Sequence, residues 1–62
     1  MDASKTGKLI REMRIEKGLT QQGLAEAINV SSTAISKWEN GHSLPDISML
    51  ETLSEVLGVS IT

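Results

Sequence analysis

The fold is decided by residues 20–41, which read TQQGLAEAINVSSTAISKWENG. Apolar residues recur in this stretch at the spacing of two short amphipathic helices, first Leu24, Ala25 and Ile28, then Ala34, Ile35 and Trp38. The joint between them is Asn29-Val30, which is too short for two antiparallel helices. The two helices must therefore cross at a steep angle, which is the arrangement of a helix-turn-helix.

A short punctuation signal stands at three places in the chain, namely 18–20 (Gly-Leu-Thr), 29–31 (Asn-Val-Ser) and 58–60 (Gly-Val-Ser). The Gly or Asn can take the left-handed conformation that closes a helix. The Thr or Ser can then cap the next helix by accepting a hydrogen bond from its free N–H groups. This signal predicts helices over residues 5–17, 20–28 and 31–40.

A fourth helix is predicted after Asp46, because Asn40-Gly41 breaks the third helix and Pro45 disfavours helix at the residue before it. Its apolar residues recur at spacings of three and four and are expected in the core: Ile47, Leu50, Leu53, Val56 and Leu57. Ser60 is placed to cap a fifth helix. We therefore expect a compact four- to five-helix bundle. A chain that continues past Thr62, as the N-terminal fragment of a longer protein, is favoured over a frayed tail.

The composition fits a single all-α domain over residues 1–62. The chain has no cysteine, so neither a disulfide nor a thiolate metal site can stabilise it, and no metal or other cofactor is predicted. Trp38 is the one aromatic residue, which suits helix packing better than a small β-barrel. No stretch is long and apolar enough to span a membrane, and the lack of cysteine fits a cytoplasmic protein.

The formal charge is −2, but it is unevenly distributed. All six Lys and Arg lie within residues 1–45 with five of the eight acidic residues, while residues 46–62 hold three acidic residues and no base. The net charge therefore does not exclude a nucleic acid as partner. An enzyme is not expected, because one histidine without cysteine or tyrosine offers no evident catalytic set.

The sequence resembles the phage repressor and Cro-type (XRE-type) helix-turn-helix regulators over roughly residues 6–60. The matching residues are Arg14, Gly18-Leu19-Thr20-Gln21, Leu24-Ala25, Val30-Ser31, Ile35, Trp38-Glu39, Gly41, Leu44-Pro45 and the stretch 50–59. The resemblance implies a lambda repressor-like DNA-binding domain with its helix-turn-helix at residues 20–39. It also implies that the recognition helix, residues 31–40, enters the major groove of a double-stranded operator. A palindromic operator and a homodimer are the expectation from this docking geometry.

The resemblance further assigns roles to individual side chains. Base contacts are expected from the polar residues at the outward face of the recognition helix, Ser32, Thr33 and Lys37, whose chemistry suits base edges. Phosphate contacts are expected from Gln21, at the positive end of the second helix, and from Arg14, Ser36, Asn40 and His42. Arg14 and Glu39 match positions that commonly form an ion pair between the first and third helices.

A helix-turn-helix that binds another protein, or that serves as a dimerisation unit without specific DNA binding, is the alternative. The acidic fourth helix and the negative net charge favour it, and Val59 and Ile61 would then be candidates for a dimer contact. The polar face of the third helix favours DNA instead, because a protein-binding helix is expected to expose apolar area there. One departure from the family concerns stability, since Gly23 stands where a Glu often completes a capping box.

Overall fold

The helices begin at the caps that the sequence predicts. The computed structural model describes residues 2–61, and in that range it contains α1 (Ala3–Glu16), α2 (Gln21–Ile28), α3 (Ser32–Glu39) and α4 (Ile47–Leu57). The side-chain oxygens of Thr20, Ser31 and Asp46 each accept a hydrogen bond from the backbone N–H three residues further on, which confirms these caps. The helix α1 begins at Ala3 rather than near residue 5, because Asp2 caps two backbone N–H groups there.

Left-handed residues end α2 and α4, as predicted. Asn29 has φ 60° and Gly58 has φ 73°, and the N–H of each turns back to a carbonyl in the last turn of its helix. Residues 29–31 are all that separates α2 from α3. The turn of the helix-turn-helix therefore lies where the sequence predicts it.

Buried apolar side chains from all four helices form one core, and they include Ile10, Leu24, Ala25, Ile28, Ile35, Trp38, Leu50, Leu53 and Leu57. The helices α1 and α2 each pack against α3, and α4 packs against α2 and α1. The helix α3 is thereby held from two sides. None of the helices described in residues 2–61 is long and apolar enough to cross a membrane.

Two apolar residues do not lie where the sequence analysis put them. Ile47 was expected in the core, but it is 77% exposed, because the side chain of the first helical residue points back beyond the end of α4. Ile61 was a candidate for a dimer contact, but it is 6% exposed and packs into the core of its own chain. Its N–H donates to Oγ of Ser54 at 3.1 Å. The fifth helix expected after Ser60 would include Thr62, which lies outside the described residues.

Candidate nucleic-acid interface

The helix α3 has one buried face and one polar face. Ile35 and Trp38 are buried in the core. The remaining arc of the helix carries the four predicted contact residues Ser32, Thr33, Ser36 and Lys37. Thr33 and Lys37 are exposed, whereas the two serines are half-buried. The structure thus brings the three predicted base-contacting side chains together on one surface, with Thr33 and Lys37 most accessible.

Glu39, the last residue of α3, is the centre of a hydrogen-bonded cluster that joins three helices. Arg14 of α1 binds its carboxylate with two N–H groups, Nε to Oε2 at 2.7 Å and Nη2 to Oε1 at 3.1 Å. Gln21, the first residue of α2, donates from Nε2 to the same Oε1 at 3.1 Å. The predicted ion pair is therefore present, and it is largely enclosed, since 12% of the Arg14 side chain and 3% of the Glu39 side chain are exposed.

The cluster fixes Arg14 in one orientation and in its charged form. A third guanidinium N–H group, on Nη1, donates to the carbonyl oxygen of Leu19 at 2.8 Å, in the connection between α1 and α2. The hydrogen bonds to Glu39 raise the pKa of the guanidinium above its ordinary value, although burial acts in the opposite direction. Because a raised pKa favours the protonated form at every lower pH, the ion pair persists throughout the neutral and acidic range in which Glu39 is ionised.

The end of α3 arranges a further predicted residue. Nδ2 of Asn40 donates to the carbonyl oxygen of Ser36 at 2.8 Å and to its hydroxyl at 3.3 Å, which holds the amide against the last turn. The backbone N–H of His42 donates to the carbonyl of Lys37 at 2.9 Å, and the imidazole is exposed. Asn40 and His42 therefore lie at the same end of α3 as Glu39, beside the cluster.

Two basic residues of α1 join this surface. Arg11 lines a small polar pocket together with Arg14, Gln21, Glu39 and Asn40. Lys8 lies next to it, in a neighbouring depression that shares Arg11, Glu39 and Asn40. Sequence analysis gave these two residues no individual role, although their spacing of three on one helix would have placed them on one face. We call Lys8, Arg11, Arg14, Gln21 and Asn40 the donor rim.

Lys17 lies apart from the donor rim. Its ammonium group is close to Gly58 at the end of α4, where a Cβ built on the glycine would lie 3.5 Å from Nζ. No group of three or more His, Cys, Asp or Glu residues between residues 2 and 61 is arranged to hold a metal ion. The polar features that the described residues concentrate in one place are thus the face of α3 and the donor rim.

Comparisons with known proteins agree with this geometry. A family model described as helix-turn-helix matches residues 10–62, and the relatives that match in sequence include regulators of transcription. This chain belongs to the helix-turn-helix family of transcriptional regulators. The resemblance drawn from the sequence is confirmed, and in this regulator α2 and α3 are the two helices of the motif, with α1 and α4 packed behind them.

The regulator is similar to two named relatives and one solved structure. BcrR, an HTH-type transcriptional activator of Enterococcus faecalis, is 44% identical over 52 residues, which cover 84% of this chain and 26% of BcrR. Multiprotein-bridging factor 1 of Debaryomyces hansenii is 40% identical over 55 residues, 89% of this chain and 37% of that protein. The crystal structure of the clp gene regulator ClgR from Corynebacterium glutamicum has a TM-score of 0.87 at 31% identity, covering 98% of this chain and 79% of that one.

Proposed function

We propose that this regulator binds double-stranded DNA in a sequence-specific manner, with α3 in the major groove. The observation that supports this most strongly is the continuity of two surfaces. The outward face of α3 carries side chains that suit base edges, and the donor rim begins directly at the end of the same helix. A helix that reads bases needs such phosphate-binding groups beside it, because phosphate contacts fix its register on the duplex.

The base-reading role is proposed for Ser32, Thr33 and Lys37. The exposed Lys37 ammonium group suits O6 and N7 of guanine, and the Thr33 methyl group suits the methyl group of thymine. The half-buried Ser32 lies in the first turn of α3, where its hydroxyl can donate to or accept from a base edge. Three contacts of this kind favour a short half-site.

The phosphate-binding role is proposed for Gln21, Arg14, Ser36, Asn40 and His42, with Lys8 and Arg11 added from the structure. Of the five N–H groups of Arg14, three donate to Glu39 and Leu19, so two stay available for a phosphate oxygen. Gln21 likewise uses one amide hydrogen on Glu39 and keeps the other, at the positive end of α2. The cluster thus orients both side chains without using all of their donors.

A two-fold dimer on a palindromic operator is proposed from the docking geometry of the motif, in which half-sites lie one helical turn apart. The regulator would act where DNA is held, in the cytoplasm of a bacterial cell. Blocking or recruiting RNA polymerase at a promoter is the proposed outcome of binding. No chemical step is involved, so occupancy of the operator carries the whole effect.

The test is selection from a randomised duplex library, first at low salt and then near physiological salt. A short enriched site is expected, and the affinity of the parent is then compared on that site and on a scrambled duplex. Lys37→Ala and Thr33→Ala are expected to reduce the preference for the selected site, the former by about tenfold, since one good base contact discriminates by about that factor. Gln21→Ala is the matched control, because loss of a phosphate contact weakens binding to both duplexes alike.

Equal losses on both duplexes for all three variants would contradict the base-reading assignment. No binding to any duplex at low salt would contradict DNA binding itself. Low salt is the decisive condition, because phosphate contacts weaken steeply as salt rises and the donor rim holds only three cationic side chains.

A protein-interaction module is the second candidate, and one observation favours it. An open groove along α4 combines the carboxylates of Glu51 and Glu55 with the half-buried Val59, on a helix without a basic residue. The similarity to a multiprotein-bridging factor is in line with such a role. Absence of duplex binding, together with loss of partner binding after Glu51→Lys, would favour this candidate over the first.

A further inference from the structure

Gly7 of α1 lies directly against the backbone at the end of α3. A Cβ built on Gly7 would lie 1.9 Å from the carbonyl oxygen of Trp38, 3.0 Å from its carbonyl carbon and 3.2 Å from the carbonyl carbon of Glu39. The atoms it would meet belong to backbone, which cannot rotate away as the end of a flexible side chain can. The two helices can approach this closely only because Gly7 has no side chain.

Gly7 is the middle of three contacts along one stripe of α1. Ser4 lies beside Gly41, whose Cβ would be 3.1 Å from the Ser4 hydroxyl oxygen. Arg14, two turns after Gly7, binds the Glu39 carboxylate. Spacings of three and seven place these residues on one side of the helix. The stripe therefore fixes the last turn of α3 and the chain that follows it.

The turn that Gly7 touches also holds the residues proposed to contact DNA. The carbonyl oxygen of Trp38 accepts hydrogen bonds from the N–H groups of Asn40 and Gly41. The carbonyl of Lys37, one residue earlier, accepts from the N–H of His42. Pressure on the Trp38 carbonyl would therefore reach Lys37 on one side and the loop of Asn40 and His42 on the other.

We infer that Gly7 is a positioning residue, whose missing side chain sets how deeply α3 is seated on α1 and so where Thr33 and Lys37 meet the base edges. The inference rests on the proposed function. A methyl group at Gly7 would require the two backbones to part by about 1 Å, since a Cβ essentially never lies within 3.0 Å of such an atom. That shift exceeds the narrow distance range of a hydrogen bond to a base.

The measurement that isolates positioning is the ratio of two dissociation constants. A variant that only folds less well loses the same free energy on every duplex, because folding is coupled equally to each binding event. The ratio of its dissociation constants on a scrambled and on a selected duplex is then unchanged. A displaced α3 keeps phosphate contacts and loses base contacts, so the same ratio falls.

The experiment compares the parent, Gly7→Ala and Gly23→Ala on the selected and the scrambled duplex, beginning at low salt. Gly23 is the matched control, because it is also helical and its added Cβ would meet the exposed Thr20 hydroxyl oxygen at 3.2 Å rather than backbone of another helix. Gly7→Ala is expected to lower the ratio by about tenfold, the discrimination lost with one base contact. Gly23→Ala is expected to keep the ratio of the parent.

A ratio for Gly7→Ala that stays within about twofold of the parent would overturn the inference, whatever its absolute affinities, because that is the signature of reduced folding alone. Loss of binding to both duplexes at low salt would also overturn it, since Gly7 would then be needed for the fold rather than for the placement of α3. A parent that does not distinguish the two duplexes would instead refute the proposed function, before any statement about Gly7 is tested.

Discussion

Glu39 shows how a single enclosed charge can organise a small domain. A carboxylate that is only 3% exposed must have its lone pairs satisfied, because an unpaired buried charge is costly. Arg14 from α1 and Gln21 from α2 supply three hydrogen bonds to it. The end of α3 is thereby tied to the two helices that pack against it.

Arg14→Met is expected to reduce the free energy of unfolding by about 2–3 kcal/mol, because Glu39 is then left enclosed with Gln21 as its remaining donor. Urea unfolding followed by the fluorescence of Trp38 measures this. Arg11→Met, an exposed position on the same helix, is the control and should change stability by less than about 0.5 kcal/mol. Adding Glu39→Gln to Arg14→Met should recover part of the loss. Equal small effects of both methionine variants would mean that the ion pair behaves like an exposed one.

The sequence predicted some residues well and others not at all. The Arg14–Glu39 pair followed from the family resemblance, and the structure contains it. The bond from Gln21 to Glu39 was missed, because Gln21 was assigned outward and a glutamine gives no pattern that reveals an inward partner. Gly7 was missed because a lone glycine in a helix looks like a propensity defect until the backbone beside it is known.

At the scale of the elements, capping side chains determine where each helix starts. Asp46 caps α4, and its Oδ1 accepts hydrogen bonds from the Met49 N–H and the Ser48 hydroxyl, both at 2.8 Å. These bonds lower the pKa of Asp46 below its ordinary value of 3.8, with the Met49 N–H contributing most. The ionised cap is therefore favoured in the folded chain relative to the unfolded one.

The cap of α4 should make stability depend on pH in a defined window. A carboxyl whose pKa is lower in the folded state stabilises the fold above its unfolded pKa of 3.8, and that stabilisation is lost as the pH falls through the lower folded value. Asp46→Asn keeps an oxygen acceptor but binds no proton, so it should remove this component. Unfolding free energies measured at a series of pH values below 5 would test it. Identical acid dependence in parent and variant would contradict the assignment.

Helix starts and ends were predictable because local chemistry determines them. Thr20, Ser31 and Asp46 cap from the predicted places, and Asn29 takes the left-handed conformation expected of it. The first turn of α1 was not predicted, since no apolar pattern precedes it and the Asp2 cap was not considered. Local signals therefore located three of the four helix starts well, and the fourth only within one turn.

At the scale of the whole molecule, residues after the last helix complete the core. Ile61→Ala should lower the free energy of unfolding by about 2–4 kcal/mol, because the side chain is buried among core residues of its own chain. Ile47→Ala is the matched control, since the exposed Ile47 should change stability by less than about 0.5 kcal/mol. Thermal or urea unfolding compares the two. A smaller effect of Ile61→Ala than of Ile47→Ala would mean that the chain beyond Gly58 does not belong to the fold.

The errors in the core prediction have a common physical cause. Periodicity shows that Ile47 and Leu50 share a face of α4, but it does not show where the neighbouring helices stop covering that face. Nor could it show that the chain turns back after Gly58 far enough to bury Ile61. Both facts depend on how α4 sits on α1 and α2, which follows from three-dimensional packing and not from any single segment.

The most direct test of DNA reading by α3 is to titrate the isotopically labelled regulator with the selected duplex and follow its backbone amide resonances. The largest changes are expected in α3 around Thr33 and Lys37 and at Gln21 at the start of α2, with smaller changes around Asn40 and His42. Changes confined to the acidic groove of α4, around Glu51 and Glu55, would contradict the proposed binding mode. So would a titration with the duplex that leaves every amide of α3 unchanged.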